Sequence, residues 1–251
     1  RNGTTFLMYQ NRYYRSWVNS HGLISFQVTC GQTDLMIQAQ SDIHKQAAFY
    51  ATKYHDLISK YIKYNPTFEK SLIPMVIDKQ APPIVISMFE ASDKAGVGPM
   101  AAVAGAIAEY TGKDLLRYSK EIIIENGGDI FLSTSHKRTI AVYAGNSPLS
   151  GKIGIIIPEK TTTKGICTSS GTVGHSLSFG KADAAMAISC SAILADAAAT
   201  AIGNVVKTVE DIDSGLDIAR SISGIDGALI IIGSKLGVWG NIELVRLDQD
   251  N

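Results

Sequence analysis

The amino-acid sequence predicts an α/β protein of the α+β type, in which a mostly antiparallel mixed sheet is packed with helices. Three observations carry that expectation. Short β-rich runs are joined by turn signals built on Gly, Asn and Asp. Two Ala-rich segments, one after Pro99 and one after Ser191, carry helix start and stop signals. Strands and helices do not alternate strictly, which argues against a doubly wound parallel sheet.

Taken in order, Leu23–Cys30 and Leu35–Gln40 read as strands, with a hairpin signal at Gly31-Gln32-Thr33-Asp34. Asp42–Tyr64 follows as a helix with Asp42 as its N-cap and Asn65-Pro66 as its stop. The proline-rich stretch Ser71–Pro83 reads as a connector or a short edge strand. Pro99 opens a close-packing helix over Met100–Tyr110, closed by Gly112. Ile122–Glu125 and Asp129–Ser133 are strands flanking Asn126-Gly127-Gly128. Thr139–Tyr143, Lys152–Pro158 and Ala184–Ser189 extend the sheet. Ser191–Ile202 is a helix with Gly203 at its end. Thr208 with Asp211 resembles a capping box for a helix reaching Ser221. Ala228–Ile232 and Ile242–Leu247 are expected to close the chain as a hairpin around Gly233–Gly240. With no repeat, linker or low-complexity tail, residues 1–251 read as one domain.

Composition bounds the function. Hydrophobic residues make up 45% and charged residues 18% of the 251, which describes a globular chain. Lys plus Arg balances Asp plus Glu at 23 each, so no global field attracts nucleic acid or anionic lipid. The basic–aromatic cluster of Arg12, Tyr13, Tyr14 and Arg15 reads as an edge strand. Cys30, Cys167 and Cys190 are widely spaced and form no CxxC, which argues against a disulfide framework or a zinc site and for a reducing, cytoplasmic setting. No signal peptide is expected. The most apolar stretch, Ala182–Val206, is interrupted by Asp196, and a carboxylate at a bilayer centre costs roughly 2.5–3.5 kcal/mol. A buried helix of a soluble protein is the better reading, with no membrane partner. The close-packing Ala-rich helices suggest a homo-oligomer such as a dimer.

Four loci hold the chemistry. Gly96-Val97-Gly98-Pro99 opens a helix whose free N–H groups and positive dipole end suit an anion, which makes Gly98 a binding candidate. In Glu125-Asn126-Gly127-Gly128-Asp129, two glycines allow positive φ and close backbone approach to a ligand between polar residues. Cys167-Thr168-Ser169-Ser170-Gly171-Thr172-Val173-Gly174-His175 is rich in small donors of the kind that bind phosphates or sugar hydroxyls. His175 there is a candidate general acid or base, as is Asp129. Asp196 and Thr200 lie four apart on one helical face among alanines, a carboxylate and a hydroxyl that suit a small hard cation such as Mg²⁺. Each locus also has a plain structural reading: a tight turn, a hairpin, a surface loop and a local cap.

Together these loci carry a resemblance. Ser191–Ala201, SAILADAAATA, resembles the ADAxATA signature of the ApbE-like superfamily, known for FAD:protein FMN transferases. Glu125–Asp129 resembles its LGGD/N loop, and Ser170-Gly171 its TSG segment. The phrases GVGPMAAVAGAIAE, ENGGDIFL, SPLSGKIGI, GICTSSGTVGHSLSFGKAD and SAILADAAATAIGN are similar to one branch, the UPF0280 (DUF375) proteins, over residues 10–247. The resemblance implies an ApbE-like, T-fold-like arrangement. It implies Mg²⁺ held by Asp196 and Thr200, with FAD or FMN, or a related phosphate or nucleotide ligand, at Gly98, Glu125–Asp129, Thr168–Gly171 and His175. Two family features are missing. The HIxDPxTG segment of the transferases has no room between Gly171 and Ala184, with His175 as its remnant, and Gly98-Pro99-Met100 replaces a Lys-Gly. The expected function is therefore a flavin- or nucleotide-phosphate-binding protein of the transferase type. One alternative is an accessory protein of sulfur assimilation and homocysteine formation, a sulfur carrier on Cys167. The other is a non-catalytic scaffold.

Overall fold

A computed structural model describes residues 22–171 and 179–247. The chain runs through strands β1 (Ile24–Cys30) and β2 (Thr33–Ala39), then helices α1 (His44–Tyr64), α2 (Pro66–Lys70), α3 (Pro83–Ala95) and α4 (Val103–Leu115). Strands β3 (Ile122–Asn126), β4 (Asp129–Thr134), β5 (Arg138–Ala141), β6 (Ile153–Ile157), β7 (Thr161–Ser169) and β8 (Ala184–Ser189) follow. Helices α5 (Ala192–Val205) and α6 (Ile212–Ser221) precede β9 (Ile225–Ile232), β10 (Lys235–Gly240) and β11 (Glu243–Arg246).

Eight strands form the large sheet in the order β1-β2-β3-β4-β7-β8-β9-β10, and every neighbouring pair is antiparallel. A smaller sheet has the order β11-β6-β5. The period-2 alternation of a strand sends successive side chains to opposite faces, and here both faces are buried. Ile122, Ile124, Phe131, Ala185, Ala187 and Ile230 pack beneath the helices. Ile123, Ile130, Leu132, Met186, Leu229 and Ile231 pack against the small sheet. That three-layer arrangement explains why these strands are apolar without interruption.

Small side chains set how closely α5 approaches. A Cβ on Gly165 of β7 would come within 2.3 Å of the Ala192 Cα, and one on Gly105 of α4 within 2.2 Å of the Ala192 carbonyl oxygen. The start of α5 is thus wedged between β7 and α4, a position that only an Ala- and Gly-rich contact permits.

The sequence-based expectations hold for the first hairpin, the β3–β4 hairpin, α5 and the capping box at Thr208 and Asp211. Four points need correction. Residues 71–82 are a connector, but its expected last residue, Pro83, opens a helix over Pro83–Ala95 that the sequence reading leaves unassigned: Pro83 sits in its first turn, where a missing N–H costs nothing, and Gly96 ends it in the left-handed region at φ 70°. The Ala-rich segment after Pro99 begins as a 3-10 turn, becomes α-helical only at Val103 and runs through Gly112. The pieces around 139–143 and 152–158 build the second sheet instead of extending the first. The last hairpin is β9–β10, tightened at Gly233 (φ 58°), whereas β11 crosses over to pair with β6. Gly237 and Gly240 suggested a loop, yet Gly237 is strand backbone whose bareness admits the Ile212 side chain.

Candidate functional site

The β3–β4 hairpin is the centre of the site. Asn126 and Asp129 pair across it, and Gly127 (φ 69°) and Gly128 (φ 106°) form the turn. Positive φ at both central positions matches the twist of the strands, and glycine takes it without steric cost. Glu125, Asn126 and Asp129 are buried, and each is held by backbone. The Glu125 carboxylate accepts the Gly128 N–H at 2.7 Å. Asn126 Nδ2 donates to the Ala104 carbonyl at 3.1 Å. Asp129 Oδ1 accepts the Thr168 N–H at 3.2 Å. The hairpin therefore joins the start of α4 to the end of β7.

Asp196 reaches the same place from α5. Its Oδ2 accepts the Gly105 N–H at 2.8 Å, and the Ala104 N–H bonds to it as well. No side chain of the N-cap residue Ala102 caps α4. Asp196 supplies that cap from the neighbouring helix, where the positive end of the α4 dipole favours a carboxylate.

The charge here is one-sided. Burial pushes the Asp129 carboxyl well above the ordinary range, the charges of Asp196 and Glu125 push it further, and the Thr168 N–H and Cys167 thiol offset only part of this. Burial likewise raises Asp196 to about 7 against the pull of the Gly105 and Ala104 N–H groups. None of the ion pairs among the described residues reaches either carboxylate. Cys167 is fully buried beside them, its Sγ donating to the Ala192 carbonyl at 3.3 Å. Burial, followed by the charges of Asp129 and Asp196, pushes this thiol up. That opposes the thiolate on which a sulfur carrier depends.

The remaining sequence candidates fall as follows. Thr168 and Ser169 belong to β7 and pair with Met186 and Ala185 of β8, so this part of the expected loop is strand. Ser169 Oγ lies against Gly203, 3.2 Å from where a Cβ would stand. Ser170 and Gly171 lead away from the strand, and the Gly171 N–H bonds to the Ala182 carbonyl at 3.0 Å. Thr200 is half-buried one turn beyond Asp196. His175 lies outside the described residues. Gly98 is buried against the α2–α3 connector, and a Cβ there would stand 1.8 Å from the Ser71 carbonyl oxygen. Backbone packing accounts for that glycine. The helix-start N–H groups that meet an anion belong to Ala104 and Gly105 of α4, and the anion is Asp196 itself.

Sequence reasoning passed over Glu109. It is 3% exposed and its carboxylate binds the start of α5: Oε2 accepts the Ser191 hydroxyl at 2.9 Å and the Ile193 N–H at 3.2 Å. The signal was available, because Glu109 is the lone acidic residue of the Ala-rich stretch 100–112, as Asp196 is of α5.

A separate groove of about 430 Å³ lies by the small sheet, lined by Leu149, Ile153, Leu244 and Val245 among others. It holds none of the loci singled out above.

Comparison with known proteins agrees with this fold. A family model described as AbpE bacteria matches residues 15–232. Among solved structures, the apo form of the flavinyl transferase ApbE from Pseudomonas stutzeri superposes with a TM-score of 0.52, covering 86% of this chain and 93% of that one at 11% identity. The fold class is ApbE-like. A UPF0280 protein of Methanococcus maripaludis strain C5 is 41% identical over 230 residues, or 89% of this chain and 93% of its own. Another, from Methanocaldococcus jannaschii, is 44% identical over 198 residues, or 76% and 80%. The chain belongs to the UPF0280 family, an ApbE-like group.

Proposed function

We propose that this protein binds a flavin- or nucleotide-type ligand through its phosphates, with Mg²⁺ linking those phosphates to Asp196 and Thr200. The observation that carries the reading is the charge imbalance: Asp129 and Asp196 are both buried and raised by burial, Asp129 further by the charge of Asp196, and they are answered by backbone N–H groups and a thiol. A hard dication suits such oxygen donors. Among the described residues no three His, Cys, Asp or Glu side chains are arranged to hold an ion by themselves, so phosphate and water oxygens would complete its shell. The bound ion would screen phosphate charge and polarise a phosphoryl oxygen.

The chain's own groups supply the rest. Gly127 and Gly128 leave the hairpin tip bare enough for close approach of a ligand. Thr168–Gly171 offer hydroxyl and N–H donors. Asp129 keeps its proton to higher pH than an ordinary carboxyl, as a general acid requires. His175 is the other candidate for proton handling. FMN transfer from FAD is the first reaction to test, although the segment that the transferases carry after the TSG motif is missing here.

Calorimetric titration with FMN, FAD and ADP, with and without Mg²⁺, tests the site. The expected result is Mg²⁺-dependent binding that Asp196→Asn weakens by about tenfold or more. Incubation with FAD, Mg²⁺ and a candidate acceptor protein, followed by mass spectrometry, tests the transfer. Failure of all three ligands to bind in the presence of Mg²⁺ overturns the reading.

A further inference from the structure

Helices α4 and α5 meet at Gly105 and Ala192, where backbone approaches backbone. From that crossing point the two helices carry matched features. Four residues beyond Gly105 is Glu109, whose Oε2 binds the first turn of α5. Four residues beyond Ala192 is Asp196, whose Oδ2 binds the first turn of α4. Each helix thus caps the other. Ser191 extends the network, its Oγ accepting the Leu194 N–H at 3.3 Å while its hydroxyl donates to Glu109.

The match fails one turn further on. Lys113 stands four residues past Glu109 and closes an ion pair with its Oε1 at 2.6 Å. The residue four past Asp196 is Thr200, which carries no charge. One carboxylate of the pair therefore has its cation built in and the other has a hydroxyl in that place.

We propose that Glu109 is a positioning residue for the candidate site: it fixes the first turn of α5, and with it Asp196 and Thr200, against the start of α4. Its pairing with Lys113 helps keep Glu109 in place, whereas Asp196, in the matching position on α5, has the uncharged Thr200 one turn on. The inference leans on the ligand reading above only for what Asp196 and Thr200 bind.

The test combines native-state amide exchange by NMR with Mn²⁺ binding in the presence of ADP, on wild type, Glu109→Ala and Glu109→Gln. In Glu109→Ala, protection of Ile193 and, across the helix pair, of Gly105 falls about tenfold relative to sheet amides such as Ile123 and Leu229. Mn²⁺ affinity drops by about tenfold as well. Glu109→Gln, which can still accept from Ser191 and Ile193, restores both to within about threefold of wild type. A loss of protection spread evenly over the sheet marks a merely structural role and overturns the proposal, as does unchanged protection at Gly105. Should Glu109→Ala not fold, Ser191→Ala removes one donor to Glu109 and carries the same measurement, with a response confined to Ile193 and Gly105 expected. Exchange that responds as stated while wild type takes up no Mn²⁺ supports the positioning role and overturns the ligand reading.

Discussion

The two ends of the β3–β4 hairpin bury carboxylates in opposite electrostatic circumstances. At the open end, Glu121 just before β3 is 2% exposed and meets the equally buried Arg138 at 2.8 Å, with Thr134 Oγ1 and His136 Nδ1 both at 2.7 Å. Burial alone would raise its pKa, yet the hydrogen bonds from Arg138, Thr134 and His136 outweigh that and hold it at about 2. At the turn end, Asp129 meets backbone N–H and a thiol, and burial and like charge win. Both side chains are shielded from solvent, but Asp129 is the more deeply enclosed, so the difference lies in depth and in whether the fold supplies a cation. Where it does, the carboxylate is a clasp; where it does not, the carboxyl is held toward its protonated form.

The sharpest way to break that comparison is to remove the built-in cation. Arg138→Met leaves Glu121 buried without its partner and should cost about 3–5 kcal/mol in denaturant unfolding. An unchanged midpoint would mean that Glu121 is not held by charge. The next effect is in pH. The folded pKa of Glu121 lies below its ordinary 4.5, so its contribution to stability is present above that value and lost as pH falls through about 2. Asp196 has the opposite sign: raised from 3.8 to about 7, its contribution is full below 3.8 and lost as pH rises through about 7. The ion-free protein should therefore melt at lower temperature at about pH 8 than at about pH 5. Asp196→Asn should flatten that slope, and Mg²⁺ should restore stability at the higher pH. A flat wild-type profile measured by calorimetry would remove the charge imbalance from the argument. The smallest effect is expected at His136, whose side chain is 72% exposed although it touches Glu121. His136→Ala should shift stability by no more than about 1 kcal/mol, because Arg138 and Thr134 still hold the carboxylate.

Much of the site was legible along the chain. The glycines at 127 and 128 announced the hairpin, because positive φ at a two-residue turn is a local demand. The acid inside the alanines of α5 announced a buried carboxylate, because a charge there needs a partner. What such reasoning missed is what that partner is. Asp196 was read as facing a cation; the structure sets it on the Gly105 N–H.

The sequence by itself determined elements whose causes are short-ranged: the turn at Gly127-Gly128, the capping box at Thr208 and Asp211, and the close-packing surface of α5. Those follow from backbone sterics and side-chain period, which act within a few residues. Tertiary structure decided the rest. Asp196 and Gly105 are 91 residues apart, Glu109 and Ser191 82, and Arg138 and Glu121 17. Which carboxylate receives a cation and which receives only N–H groups depends on those long-range meetings. The sign of a buried group's pKa shift follows from its neighbours in space, and no window along the chain contains them.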